Sequence, residues 1–158
     1  MSTILLTGGF GYIGSHTASV LAEKNKDFVI YDNFLNSKHS VLERLESTIG
    51  KKIKFVNGDV NDTEKLIEIL KKYPINSVIH FAALKSVRES IMNPIKYYEI
   101  NVGGTISLIN AMKKTNVKRL LFSSSATIYG DPEYLPIDEN HPLRAINPYG
   151  QTKLIVEN

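Results

Sequence analysis

Short apolar runs alternate with stretches of helical period along this chain. Thr3–Thr7 (TILLT) is apolar and ends in glycines. From Gly11 to Lys24, Ile13, Thr17, Val20 and Leu21 fall at helical spacing. Phe28–Tyr31 is a second apolar run, followed by a helical Ser40–Ser47 with Val41, Leu42 and Leu45 on one face. Ile53–Val56 and the helical Thr63–Lys72 repeat the unit, and Ser77–Ala82 is a fourth strand. Pro94–Lys114 reads as one long helix with Pro94 in its first turn. Arg119–Ser123 is a fifth strand, and a proline-rich loop leads to a last helix starting near Tyr149.

Strands covered on both faces read as continuous apolar runs rather than alternating ones. Their alternation with helices predicts an α/β fold, a doubly wound parallel sheet. Right-handed crossovers favour the strand order 3-2-1-4-5. The 158 residues suit one domain.

Composition narrows the chemistry. With no cysteine, a disulfide scaffold, thiolate metal sites and a cysteine nucleophile are excluded. The four histidines lack metal-ligand spacing, so no metal is expected; His80 reads as a strand-end packing residue. The net charge of +3 is spread among helical segments, which argues against nucleic acid as a partner. No run approaches the roughly 18–20 apolar residues of a membrane span. The first residues do not resemble a signal peptide, so no membrane partner and a cytoplasmic location are expected.

The first strand runs into Gly8-Gly9-Phe10-Gly11-Tyr12-Ile13-Gly14 as a helix opens. Gly8 suits the tight turn, Gly11 a close approach of backbone to a pyrophosphate, and Gly14 close packing of helix on strand. The free N–H groups and positive end of the helix would hold the phosphates. Asp32 closes the second strand, where a carboxylate accepts from both adenosine ribose hydroxyls and repels a 2′-phosphate, favouring NAD over NADP. Asp59 ends strand three, placed to meet an adenine amino group, and His80-Phe81-Ala82-Ala83 ends strand four. Ligands of such sheets lie at the carboxyl ends of the strands, where all these features fall.

Ser123-Ser124-Ser125 ends strand five, and Tyr149 and Lys153, at i and i+4, share a helix face. A nearby ammonium favours phenolate, which suits tyrosine to the role of a general base. Serine would hydrogen-bond the same substrate oxygen. Together these groups suit removal of a hydroxyl proton while hydride leaves the same carbon for nicotinamide.

The segments TGGFGYIGSHT, YDN with NSK at Asn36–Lys38, GDV, HFAALKSVRES, YYEINVGGT, FSSSATIYG and NPYGQTK resemble the UDP-glucose 4-epimerases of the extended short-chain dehydrogenase/reductase superfamily. The resemblance implies a Rossmann-type NAD-binding domain. It also implies C4 epimerisation of UDP-galactose and UDP-glucose through a 4-keto sugar, with tightly held NAD regenerated in each cycle. By position, Tyr149 is the base, Ser125 assists at O4, and Lys153 orients the NAD ribose and tunes Tyr149. Tyr12, Ile13, Asp32, Asn33, Asn36, Ser37, Asp59, Val60, Phe81, Ala82, Ala83, Lys85 and Asn101 would surround NAD. Ala83 and Arg88 stand where the family often has glycine.

A related 4,6-dehydratase, a 4-epimerase of another nucleotide sugar and a non-catalytic NAD-binding module are the alternatives. The dehydratase would need an acid beside Thr127, which Ala126-Thr127-Ile128 does not offer. The Gly103-Gly104 pair reads either as a close helix contact, since that helix joins a homodimer interface in the family, or as a local kink. The family runs to roughly twice this length. The chain is therefore expected to stop inside the Tyr149 helix, to lack the UDP-sugar domain, and to be nearly inactive alone.

Overall fold

The computed structural model describes residues 2–158. Its contacts divide into two units: one runs through Ala82 and adds Ile106–Ser123, and the other comprises Ala83–Thr105 and Ser124–Asn158.

The first unit holds a five-stranded, all-parallel sheet in the order β3-β2-β1-β4-β5. The strands are β1 (Thr3–Thr7), β2 (Asp27–Asp32), β3 (Phe55–Asn57), β4 (Ile75–His80) and β5 (Arg119–Phe122). This is the order expected from the sequence. Successive residues of the central strands feed opposite cores, which is why both parities are apolar. Leu5, Val29, Tyr31 and Val78 pack with Leu66, Ile69, Leu108 and Met112 on one face. Leu6 and Ile30 pack with Phe10, Ala18 and Leu45 on the other. Helices α1 (Tyr12–Glu23), α2 (Ser40–Ile49) and α3 (Thr63–Lys72) link the first four strands.

The second unit carries α4 (Val87–Met92), α5 (Pro94–Tyr97), a π-helical segment (Tyr98–Gly103), the start of α6 (Gly104–Lys114), a 3-10 turn (Ala126–Ile128) and α7 (Pro148–Glu157). Its apolar centre is Leu84, Tyr97 and Tyr149, with Ile100 packed against them.

Beyond shifts of a residue or two at several element ends, the structure departs from the sequence reading around the second unit and β4. The expected single helix Pro94–Lys114 is interrupted by the π-helical turn, which ends at Gly103. Two adjacent glycines cost about 1 kcal/mol each in a helix, so the regular ladder is weakest there and tolerates an inserted residue. The local irregularity expected at the glycine pair takes the form of this π-helical turn. Strand β4 starts and ends two residues before the expected Ser77–Ala82, freeing Phe81 and Ala82 for the turn beyond it. Helix α4 was not expected. Its signal is a Ser86-x-x-Glu89 capping pattern, and Ser86 Oγ accepts from Glu89 N at 3.2 Å.

No described helix is long and apolar enough to cross a membrane.

Candidate active site

The glycine turn lies in the first unit. Gly8 adopts a left-handed φ of +66°, and a Cβ there would lie 2.6 Å from Ala82 N. A Cβ on Gly14 would lie 2.5 Å from Gly8 O and 2.7 Å from Gly9 Cα. Protein packing therefore demands glycine at both positions. Gly11 is different: its Cβ would meet only Gly8 O, at 3.3 Å. The space over Gly11 is not filled by the chain itself. Helix α1 has Gly11 as its N-cap, with no side-chain cap and no acid in its first turn. Its first N–H groups and the positive end of its dipole thus have no competing carboxylate. Tyr12 and Ile13 lie exposed at the same end. A cradle that a Cβ would fill, at an uncapped helix end, fits a dinucleotide's diphosphate.

Asp32 lies beside this turn and is buried. Its Oδ2 accepts from Phe10 N at 2.9 Å, and its Oδ1 accepts from Phe34 N at 2.8 Å and from Ser37 Oγ at 3.3 Å. A carboxylate offers about four acceptor positions, so roughly one remains, on Oδ2. Asn33 Nδ2 donates to Asp59 Oδ2 at 2.9 Å, and Asn61 N and Nδ2 both donate to Asp59 Oδ1. Asp59 follows β3 rather than ending it, and its carboxylate organises the exposed turn there. Asn36 is exposed. The side chains of Val60 and Phe81 are buried in the two cores, leaving their backbones available to a ligand. His80 is buried as expected, its Nδ1 hydrogen-bonded to the Thr7 hydroxyl.

The second unit holds Tyr149, Lys153 and Ser125, the candidates for proton transfer. Asn147 caps α7, its Oδ1 accepting from Gly150 N at 2.8 Å, with Pro148 in the first turn. Tyr149 and Lys153 are both buried. The Tyr149 ring packs against Leu84 and lies edge-to-face with Tyr97, centroids 6.4 Å apart. Ser125 Oγ accepts from Thr127 N at 3.2 Å and from Thr127 Oγ1 at 2.9 Å. These two bonds use its acceptor positions and leave its own proton to donate.

Lys153 is only 2% exposed. Loss of hydration, and then repulsion from Lys85, pull its pKa down to about 8, while Glu157 works the other way. Lys85 remains solvent-accessible, though partial desolvation lowers its pKa too. A folded pKa below the 10.4 of a free lysine means that the charged amine opposes folding. The penalty is complete below about pH 8 and fades as pH rises towards 10.5. Lys153→Met is expected to stabilise the ligand-free protein at pH 7 by about 1–3 kcal/mol. Melting curves from pH 7 to 10.5 check this, with the gain over the parent shrinking as pH rises.

Asn101, in the middle of the π-helical segment, is 3% exposed. Its Oδ1 accepts from Leu84 N at 2.8 Å, and its Nδ2 donates to Leu84 O at 3.1 Å and to Thr152 Oγ1 at 3.0 Å. Thr152 Oγ1 donates in turn to Tyr149 O at 2.7 Å. The amide expected beside NAD is engaged within its own unit, clasping the segment before Lys85 and the first turn of α7. Asn101→Ala would strand buried groups on Leu84. A loss of about 2–3 kcal/mol in denaturant unfolding is expected. Sequence reasoning missed this clasp because the motifs that contain Leu84 and Thr152 do not announce what those two residues bond to.

A family model described as GDP-mannose 4,6 dehydratase matches residues 5–158. The chain belongs to that family. Among the family's curated proteins, the UDP-glucose 4-epimerase of Dictyostelium discoideum is 53% identical over 154 residues, covering 98% of this chain and 45% of that protein. The UDP-glucose 4-epimerase of Bifidobacterium longum, solved with NAD+ and UDP, superposes with a TM-score of 0.96 at 46% identity. That match covers 99% of this chain and 47% of the other. The enzyme of Stenotrophomonas maltophila, solved with NAD and formylated UDP-arabinopyranose, gives a TM-score of 0.96 at 42% identity, covering 99% and 47%. The chain thus spans about half the length of these relatives.

Proposed function

We propose that this chain supplies the NAD-binding and proton-transferring parts of a UDP-glucose 4-epimerase, which interconverts UDP-galactose and UDP-glucose. The carrying observation is a buried tyrosine and buried lysine one helical turn apart, in a chain about half identical to UDP-glucose 4-epimerases over nearly its whole length.

In this reading the first unit takes the adenosine diphosphate half of NAD. Gly8, Gly11 and Gly14 shape the turn, while Tyr12 and Ile13 lie at the helix end over it. Asp32 accepts from the ribose, and Asn33, Asn36, Ser37, Asp59, Val60, Phe81 and Ala82 form its surroundings. In the second unit Ala83 and Lys85 belong to the nicotinamide side, and Asn101 supports it from beneath. NAD, when bound, supplies a reversible hydride acceptor for the carbon bearing the reacting hydroxyl.

The chain's own residues handle the proton. Tyr149 takes it from the sugar O4 and returns it there. Ser125 donates a hydrogen bond to the same oxygen, the one direction its contacts with Thr127 leave open. Lys153, cationic through much of the neutral range, lies one helical turn from Tyr149 and orients the ribose. Thr127 is followed by buried Ile128 rather than an acid, which disfavours dehydration. The same reading carries a second copy of the chain as partner, supported by the resemblance alone, and the cytoplasmic location expected from the sequence.

The test is to incubate the purified gene product containing this chain with UDP-galactose and no added cofactor. UDP-glucose should accumulate to equilibrium, and acid extraction should release NAD. Failure to form UDP-glucose would refute the epimerase. Extracted NAD without turnover would leave only a cofactor-binding module.

A further inference from the structure

The two backbone N–H groups that grip Asp32 come from residues 24 positions apart, Phe10 and Phe34. The rings of these same residues stack, with centroids 4.8 Å apart and planes within 18°. His39 stacks on Phe34 at 4.0 Å and 25°. Phe55 stands edge-on to both phenylalanines, at 5.5 Å from Phe10 and 6.0 Å from Phe34. Phe10 is fully buried and anchored in the core beneath the glycine turn. Phe34 has a left-handed φ of 58°, which an aromatic residue adopts only where its surroundings enforce it.

We propose that the Phe10–Phe34–His39 stack is a positioning device for the Asp32 carboxylate, and through it for recognition of the cofactor's adenosine ribose. The proposal rests on the reading that the first unit binds NAD. The glycine turn and the Asp32–Ser37 loop are separate pieces of chain. Each contributes one N–H to Asp32, and the ring stack ties the two pieces together where they do so. With three of about four acceptor positions engaged, the carboxylate cannot rotate without breaking bonds to both pieces. The remaining direction on Oδ2 is then fixed before a ribose arrives, so binding does not have to order it. Removing the Phe34 ring frees the loop to leave its left-handed conformation, turning the Phe34 N–H away from Oδ1. Asp32 would then present its charge in several directions. Phe34 is therefore a positioning residue that acts through Asp32.

The test uses protein freed of bound NAD and titrated with ADP-ribose, which carries the adenosine and diphosphate without nicotinamide, followed by NMR so that weak binding is measurable. Phe34→Gly suits it because glycine accepts φ 58° without strain and keeps the N–H. In the parental background Phe34→Gly should weaken ADP-ribose about tenfold, whereas in an Asp32→Asn background its effect should fall below about twofold. Phe34→Tyr, which keeps the stack, should bind like the parent. Equal losses in the two backgrounds, or no loss in either, would overturn the positioning role while leaving the cofactor reading in place. Failure of the unsubstituted chain to bind ADP-ribose would overturn the cofactor reading, and this proposal with it.

Discussion

Replacing Tyr149 with phenylalanine is expected to lower kcat for UDP-galactose by about 10²- to 10⁴-fold, the range that loss of a positioned general base brings. The substitution removes one oxygen and keeps the ring. That ring is what packs against Leu84 and Tyr97, so the apolar centre of the second unit stays filled. Helix α7 keeps its Asn147 cap, and Thr152 still donates to the backbone carbonyl of residue 149. Melting temperature and KM should therefore change little while kcat collapses. Steady-state kinetics with a parallel melting curve separate the two. A Tyr149→Phe protein with kcat within tenfold of the parent would remove Tyr149 from the role of base.

The second large effect is a contrast between two glycines three residues apart. Gly11→Ala adds a methyl that meets only one carbonyl oxygen, at a φ of −67° and ψ of 172° that alanine accepts freely. Its stability should stay within about 1 kcal/mol of the parent. The methyl does project into the space read as the seat of the diphosphate. Overpacking costs about 1–3 kcal/mol, so ADP-ribose should bind about tenfold to a hundredfold more weakly. Gly14→Ala places its methyl against the backbone of Gly8 and Gly9, which cannot swing aside as a side chain would. It should lose about 3 kcal/mol or more of folding stability whether or not a ligand is present. Urea unfolding paired with an ADP-ribose titration reads both. If Gly11→Ala bound ADP-ribose as the parent does, the turn would be a packing feature and not a phosphate cradle.

The order of the sheet was legible because burial on both faces imposes apolar residues at every position of the central strands. Leu5 and Leu6, or Val29 and Ile30, point into opposite cores and still read as one run. The glycine turn, the acid after β2 and the Tyr149–Lys153 pair were legible as types at fixed spacing. What their atoms bond to was not. Asp32 carries three internal hydrogen bonds, one of them from a left-handed Phe34, and nothing in an Asp-Asn-Phe triplet announces that. The bonds of Asn101 were equally hidden: in a π-helical turn, three hydrogen bonds make it a clasp within its own unit. Periodicity alone sees a continuous helix from Pro94 to Lys114, because one extra residue in a turn shifts the apolar stripe without erasing it. Resemblance supplied the role of Lys85 and the choice of Ser125 within its serine run, and no local pattern would have.

The most direct measurement follows a label. UDP-galactose carrying deuterium at C4 is incubated with the protein in ordinary water, without added cofactor, and the UDP-glucose formed is analysed by mass and NMR. Epimerisation through a bound hydride acceptor, with Tyr149 handling only the hydroxyl proton, predicts UDP-glucose that retains the deuterium at C4. Absence of UDP-glucose, or product whose C4 deuterium has exchanged with water, would contradict that account.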